Sequence, residues 1–263
     1  MEQDKSTYIK SKIDELLGLT IDDTQADQLA DFYEMIIEKN KVMNLTAITD
    51  FEEFVVKHFV DSLSIIKISG IKECFQKPVN VTGDIVNSDT EINIIDIGTG
   101  AGFPGVPLKI VFPDLNVTLF DSLQKRLTFL DEVIDKLKLK NIKTVHGRAE
   151  EFGRKLDYRE KYDIVVSRAV AELTPLCELA LPFCKVGGRF ISYKGGKGGE
   201  ELKNAEYAIK ELGGKKGTIC EYTFDTNDAT NERTLIEICK VKNTSSKYPR
   251  GGGKPFKAPL HMV

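Results

Sequence analysis

Two acids and a run of glycines carry the first chemical signal in this chain. In Asp96-Ile-Gly98-Thr-Gly100-Ala-Gly102-Phe103-Pro-Gly105 a carboxylate sits in the apolar run Ile94 to Ile97, and the backbone then passes through alternating glycines. Glycine lets a chain turn tightly and approach a ligand where a β-carbon would clash. A second acid, Asp121, closes the next apolar run. It stands about 20 residues beyond the glycines, the position from which an acid bonds a ribose hydroxyl. Together they describe a nucleotide-type site at the ends of neighbouring parallel strands.

The spacing is open to two readings. Gly100-Ala-Gly102-Phe-Pro-Gly105 matches the dinucleotide fingerprint, whose glycines bring a pyrophosphate to a helix N-terminus. Counted from Gly98, however, the pattern is Asp-x-Gly-x-Gly-x-Gly. A carboxylate there repels a pyrophosphate, but it holds the ammonium of S-adenosylmethionine, or directs a water to it, in a ligand whose sulfonium is also cationic. Asp96 therefore favours S-adenosylmethionine over NAD, unless it only caps the turn that follows. Glu150, in His146-Gly-Arg-Ala149-Glu150-Glu, stands where a loop covers the adenine, or else is a solvated acid at a helix start.

Two further groups fall on the rim where a methyl acceptor would sit. Arg168, in Ser167-Arg-Ala-Val170, can grip a carboxylate or phosphate with two parallel bonds; the alternative is an exposed structural arginine. Tyr193-Lys194-Gly-Gly-Lys-Gly-Gly199 is basic and flexible, fit to touch nucleic-acid phosphate or simply to move as a surface loop. It lacks the Gly-Lys-Ser/Thr of a phosphate loop.

The elements that must position these groups follow from periodicity. Residues 6–69 carry helical spacing, with Leu29, Phe32, Tyr33, Ile36 and Ile37 on one face and Phe51, Phe54, Val55, Phe59, Leu63 and Ile66 on another. They predict an N-terminal helical cap, followed by a polar stretch from Gln76 to Glu91 and a boundary near residue 90. From residue 91, strands at 92–97, 116–120, 142–145, 163–167 and 189–193 alternate with helices, as a doubly wound sheet demands. The fifth strand is expected after a Gly187-Gly188 turn. Two runs, 218–224 and 233–241, flank a polar loop too short for a helix and predict a closing antiparallel hairpin. That hairpin is typical of methyltransferase-type Rossmann-like sheets, so the expected fold class is α/β, with a mostly parallel sheet and a helical cap.

Composition sets outer bounds. The 263 residues include 41% hydrophobic ones, enough for a sizeable core, and no uninterrupted apolar stretch of membrane-spanning length. A polar, charged start and five cysteines, with no closely spaced pair, point to a cytoplasmic chain with reduced, mostly buried thiols and no metal site. From Lys240 onward there are six basic residues and no acids, although the whole chain carries a net charge of −3. The tail, residues 244–263, is then either a disordered terminus or an arm for phosphates. No heptad or apolar stripe calls for an obligate oligomer, so a monomer is expected.

Several motifs resemble one family. Asn44-Leu-Thr-Ala-Ile48, Lys57-His-Phe-Val-Asp-Ser-Leu63, the glycine motif ending Gly-Phe-Pro-Gly105, Asp121-Ser-Leu-Gln-Lys-Arg-Leu-Thr-Phe-Leu130, Ser167-Arg-Ala-Val-Ala171 and Tyr248-Pro-Arg250 are similar to the bacterial glucose-inhibited division protein B (RsmG) family. The resemblance implies a class I methyltransferase using S-adenosylmethionine on N7 of guanine 527, in the 530 loop of 16S ribosomal RNA. Cofactor contacts carry over to Gly98, Phe103, the Ala149-Glu150 pair and Arg168, with Asp96, Gly100 and Asp121 where the wider class places its turn and carboxylates. Guanine N7 is an unprotonated nucleophile at neutral pH, so no catalytic base is required and alignment carries the reaction. His58, Arg168 and Lys194 are then expected to position RNA, although a buried structural histidine suits His58 equally. The polar stretch near residues 76–91 is longer than the resemblance implies. A small-molecule methyltransferase and a non-catalytic RNA-binding protein are the rival classes.

Overall fold

The computed structural model describes residues 4–75, 91–215, 217–226 and 229–261. The polar stretch expected to link cap and sheet therefore lies, apart from Glu91, outside the described residues. No described helix is long and apolar enough to cross a membrane.

Aspartates start the N-terminal helices. Asp4 accepts from the Thr7 amide at the head of α1 (Lys5–Leu17), and Asp22 and Gln25 close a reciprocal capping box on α2 (Asp23–Asn40). Residues 51–67 then run as one irregular helix: α3 (Phe51–Phe54), a π-helical turn (Val55–Val60), α4 (Asp61–Leu63) and a 3-10 turn (Ser64–Lys67). Wide turns of this kind gather at functional sites, and here the turn carries His58. The short α5 (Ile71–Phe75) follows.

The remaining elements alternate: β1 (Asn93–Ile97), α6 (Gly105–Val111), β2 (Asn116–Asp121), α7 (Gln124–Lys136), β3 (Ile142–His146), α8 (Ala149–Phe152), β4 (Tyr162–Arg168), α9 (Leu173–Ala180), β5 (Cys184–Lys194) and α10 (Gly198–Glu211). The hairpin β6 (Thr218–Thr226) and β7 (Ala229–Cys239) comes next, with α11 (Lys254–Lys257) in the tail. The sheet order is β3-β2-β1-β4-β5-β7-β6. Strands β1 to β5 pair in parallel, and β7 lies antiparallel between β5 and β6. The order reverses between β1 and β4, so a crevice opens beyond their C-terminal ends, where open α/β sheets bind ligands.

Strand alternation divides the core in two. Ile94, Val117, Leu119, Ile164 and Val166 face one way and pack with the N-terminal helices, α6 and α7. Ile95, Ile97, Phe120, Val165 and Phe190 face the other way, onto α9 and α10. The N-terminal helices are thus a layer of the sheet's own core, and Asp96, alternating with Ile95 and Ile97, faces that layer.

Two expected boundaries need correction. Strand β5 begins at Cys184, so Gly187-Gly188 lies inside it. Pairing with β4 slips between Tyr162 and Ile164, and a Cβ on Gly188 would meet the Asp163 carbonyl oxygen at 2.7 Å, so glycine there permits a close backbone approach within a strand irregularity. The hairpin strands run to Thr226 and from Ala229, through the stretch expected to be a polar loop. Edge pairs such as Tyr222 with Arg233 and Thr223 with Glu232 hold polar residues in extended backbone. The thiols also differ from expectation: Cys177 and Cys184 are buried, whereas Cys74 and Cys239 are exposed.

Candidate active site

The glycine turn is held from below by the two acids. Asp96 is fully buried, and its Oδ2 accepts from the Thr99 hydroxyl at 2.7 Å and the Gly105 amide at 2.9 Å. It therefore braces both ends of the turn and does not line the cavity above. Burial pushes its carboxyl up to about 6, against those two bonds, and Oδ1 has no hydrogen-bond partner. Asp121 accepts from the Gly100 amide at 3.0 Å and the Leu123 amide at 2.8 Å, while Arg126 stands 3.6 Å away. Gly98 has φ +72°, and a Cβ there would lie 2.5 Å from Val170 Cγ2.

Above this turn lies a cavity of about 330 Å³, lined by Gly98, Asp121, Arg126, Ala149, Glu150, Ala169 and Val170. Its lining suits S-adenosylmethionine. Gly98 brings bare backbone to the cavity wall, Asp121 at the β2 end suits a ribose, and Glu150, mostly buried at the head of α8, suits the base beyond it. The Oδ1 of Asp96, without a hydrogen-bond partner, lies beneath the turn.

A second cavity, of about 570 Å³, shares Ala169 and Val170 with the first. The two volumes meet across these residues, where Ala169 holds a positive φ of 56°. The second cavity is lined by His58, Asp61, Arg168, Lys194, Arg233 and neighbours. Arg168 Nη1 donates to Asp61 Oδ2 at 2.9 Å, its Nη2 donates to His58 Nδ1 at 2.9 Å, and its guanidinium lies 4.9 Å from the Phe103 ring centroid. Arg233 Nε lies 3.2 Å from Asp61 Oδ1, so one buried carboxylate serves two guanidiniums. One positive charge is left over at this wall.

Histidine 58 is locked by its neighbours. It stacks on Phe103 with ring centroids 4.6 Å apart and planes 13° apart, and Nε2 lies 2.9 Å from Thr46 Oγ1. Since Arg168 donates to Nδ1, the proton sits on Nε2 and is donated to Thr46. Burial first, then the charge of Arg168, drives its pKa down to about 2.

The residues expected from sequence therefore fall into three groups. Gly98, Asp121, Ala149 and Glu150 line the first cavity, and His58, Arg168 and Lys194 the second. Asp96, Gly100 and Phe103 shape the turn and the wall: Gly100 turns at φ +60°, and Phe103 is buried among Phe32, Phe54 and Phe59. Lys194 is tied to Glu201 at 2.6 Å and to the Ala171 carbonyl. Sequence reasoning missed Asp61 and Arg233. The signal for Asp61 was an acid inside the apolar helical face of Phe54, Val55, Phe59 and Leu63; nothing local distinguished Arg233.

The tail follows a defined path through residue 261 and packs against the end of α8 and against α9, so of its two readings the disordered terminus is set aside. A buried carboxylate and backbone carbonyls explain it: Arg250 grips Glu178 at 2.6 Å, and Arg154 and Arg159 donate to carbonyls of residues 244–249. Lys240 is buried against Glu160, and Lys247 pairs with Glu211. Half of the six cations are thus engaged within the fold.

Comparison with known proteins identifies the family. The sequence model of the family described as rRNA small subunit methyltransferase G (GidB) matches residues 25–227. Ribosomal RNA small subunit methyltransferase G of Lachnoclostridium phytofermentans is 54% identical over 98% of each chain, and that of Acetivibrio thermocellus 50% identical over 92% of each. A solved S-adenosylmethionine-dependent O-methyltransferase from Thermotoga maritima superposes with a TM-score of 0.48 at 15% identity, over 80% of this chain and 72% of its own. The matched span carries the glycine turn, both acids, His58 and Arg168, and the likeness to curated relatives extends over nearly the whole length. On that evidence the chain belongs to the rRNA small subunit methyltransferase G family.

Proposed function

We propose that this chain methylates N7 of guanine 527, in the 530 loop of 16S ribosomal RNA, with S-adenosylmethionine as donor. Bound in the first cavity, that donor supplies an electrophilic methyl on a sulfonium centre. Gly98 and Gly100 let the backbone approach it, Asp121 receives its ribose, and Glu150 faces its base. The second cavity, across Ala169 and Val170, receives the guanine.

One observation carries the choice of nucleophile: the histidine and the buried aspartate of the second cavity are both committed to Arg168. His58 has its Nδ1 lone pair occupied by Arg168 and a pKa near 2. Asp61 is saturated by Arg168, Arg233 and Tyr222. Lys194 is held by Glu201. Such a cavity favours an acceptor atom that arrives with its lone pair free, as guanine N7 does, over a hydroxyl or amine that must first lose a proton. The two guanidiniums suit the acceptor oxygens of guanine and phosphate. In-line positioning, worth up to roughly 7–11 kcal/mol where fully realised, then supplies much of the acceleration. The family assignment supports the ribosomal RNA substrate, and we place the protein in the cytoplasm, as a monomer on the small subunit or its RNA.

The test is to incubate the full chain and S-adenosylmethionine with small subunits lacking the modification, then map the methyl by mass spectrometry of nuclease fragments. A single 7-methylguanosine at position 527 is expected. A methyl on another atom or nucleotide overturns the reading.

A further inference from the structure

The cavity above the glycine turn has a wall that no motif announces. Phe256 and Gly253, both in the C-terminal tail, line it opposite the strand ends. Phe256 is 51% exposed, so its ring is presented to the cavity mouth and not consumed by packing. An aromatic face left open beside a nucleotide-type cavity is suited to stacking on a base.

The tail is built to hold that ring in place. Arg250 donates from its backbone amide and Nε to Glu178 Oε1, at 2.7 and 2.9 Å, and from Nη2 to Oε2 at 2.6 Å. The same Nη2 donates to the Ala258 carbonyl at 2.9 Å. One guanidinium therefore clamps both ends of the short segment that carries Phe256 onto α9. Upstream, Arg154 donates to the Pro249 carbonyl at 2.8 Å, and a Cβ on Gly153 would touch Pro249 at 3.1 Å, so the chain passes hard against the end of α8. Glycines 252 and 253, at φ +68° and +71°, turn the backbone between these anchors.

This path decides which part of the ligand the ring meets. Asp121, at the end of β2, marks the ribose, so the base lies outward, toward Ala149 and Glu150 at the head of α8. The tail crosses α8 and α9 on that same side, and Leu179 of α9 completes the wall. We propose that Phe256 is an adenine-stacking residue, and that the basic tail serves as the outer wall of the cofactor site. The proposal rests on the S-adenosylmethionine reading above.

The chain contains no tryptophan, so Phe256→Trp installs a single tryptophan at the proposed stack, excited selectively at wavelengths beyond tyrosine absorption. Its emission should be quenched on titration with S-adenosylmethionine or 5′-methylthioadenosine, and should not respond to methionine. By calorimetry, Phe256→Ala should weaken binding of both adenine ligands by the same factor, about tenfold. Phe256→Tyr should restore it, and Phe256→Leu, which keeps bulk without an aromatic face, should not. The melting temperatures of the variants without ligand should match wild type. Unquenched Phe256→Trp emission at saturating ligand, or wild-type affinity in Phe256→Ala or Phe256→Leu, overturns the stack alone. A wild-type protein that binds neither adenine ligand overturns the cofactor reading and this proposal together.

Discussion

The two cavities that meet at Ala169 and Val170 are built in opposite ways. The first is made mainly from backbone: one contiguous turn, residues 98–105, braced by carboxylates at the ends of β1 and β2. The second is made from side chains that arrive from the π-helical turn and α4, the end of β4, the end of β5 and the closing hairpin. A backbone site needs particular residues at fixed spacing, because glycine conformations and strand ends are local facts. A side-chain site needs only that distant residues converge, and many sequences achieve that without a motif. The cofactor side is therefore suited to family-wide sameness, and the acceptor side to substrate choice.

The largest expected effect tests whether the second cavity stands or falls on one residue. Asp61→Ala removes the carboxylate shared by Arg168 and Arg233 and leaves two poorly solvated cations facing each other. Breaking a buried pair in this way costs about 3–5 kcal/mol, to be read as a lowered urea midpoint with unchanged slope. Under conditions where the variant is folded, its affinity for S-adenosylmethionine should stay within about twofold of wild type, since Asp61 lines only the second cavity. A parallel collapse of cofactor affinity would erase the distinction between the two regions.

Asp96 sharpens the comparison from the other side. Its folded pKa of about 6 lies above the ordinary 3.8, so between those values the folded state holds a proton that the unfolded state lacks. The stability contributed by this group is full below about pH 4 and is lost as pH rises through 6. Asp96→Asn removes the dependence, so its stability relative to wild type should improve by up to about 3 kcal/mol from pH 4 to pH 8. Chemical denaturation at both values reads the difference, and a gap that does not move with pH defeats it. Cofactor affinity at pH 8 separates the roles left open by the sequence: a brace alone survives the change, whereas attraction of a cation does not.

Gly98→Ala probes the wall between the cavities. At φ +72° an alanine is strained by roughly 1–3 kcal/mol, and its Cβ would press into Val170 Cγ2. The melting temperature should fall by a few degrees and cofactor affinity by about tenfold or more. Val170 faces both cavities, so this substitution should also slow methyl transfer at saturating cofactor. An effect confined to cofactor affinity would mean that the wall does not align the two ligands.

These contrasts explain what was legible beforehand. The parallel strands and the closing hairpin could be read because buried strands are apolar runs and because no helix fits between residues 224 and 233. The first cavity could be read because Gly98, Asp121 and Glu150 follow strand ends in order. Arg233 could not, since its partner Asp61 lies far off in sequence and the pairing exists only once β7 has inserted beside β5. The tail stayed open between two readings for a related reason: glycines and lysines fit disorder as well as an arm when the buried Glu178 that receives Arg250 is out of view. Deleting residues 244–263 would strip buried groups from the body, and so cannot by itself distinguish an RNA enzyme from a small-molecule one.

His58 is the finest test, because the expected result is constancy. The lowered pKa means that the unfolded chain binds a proton below about pH 6.5 while the folded chain does not. This group's contribution to stability is therefore complete above 6.5 and declines as pH falls, by at most about 1.4 kcal/mol per unit. That slope opposes the one from Asp96 between about pH 4 and 6, so the two contributions offset each other in wild type and Asp96→Asn should steepen the fall. In the folded protein, nitrogen NMR of the three imidazoles should show His58 with its proton on Nε2, and its shifts unchanged from pH 8 to pH 5. A His58 that titrates near 6.5 would return a working base to the second cavity, and would undo the argument that this wall selects an acceptor already free of its proton.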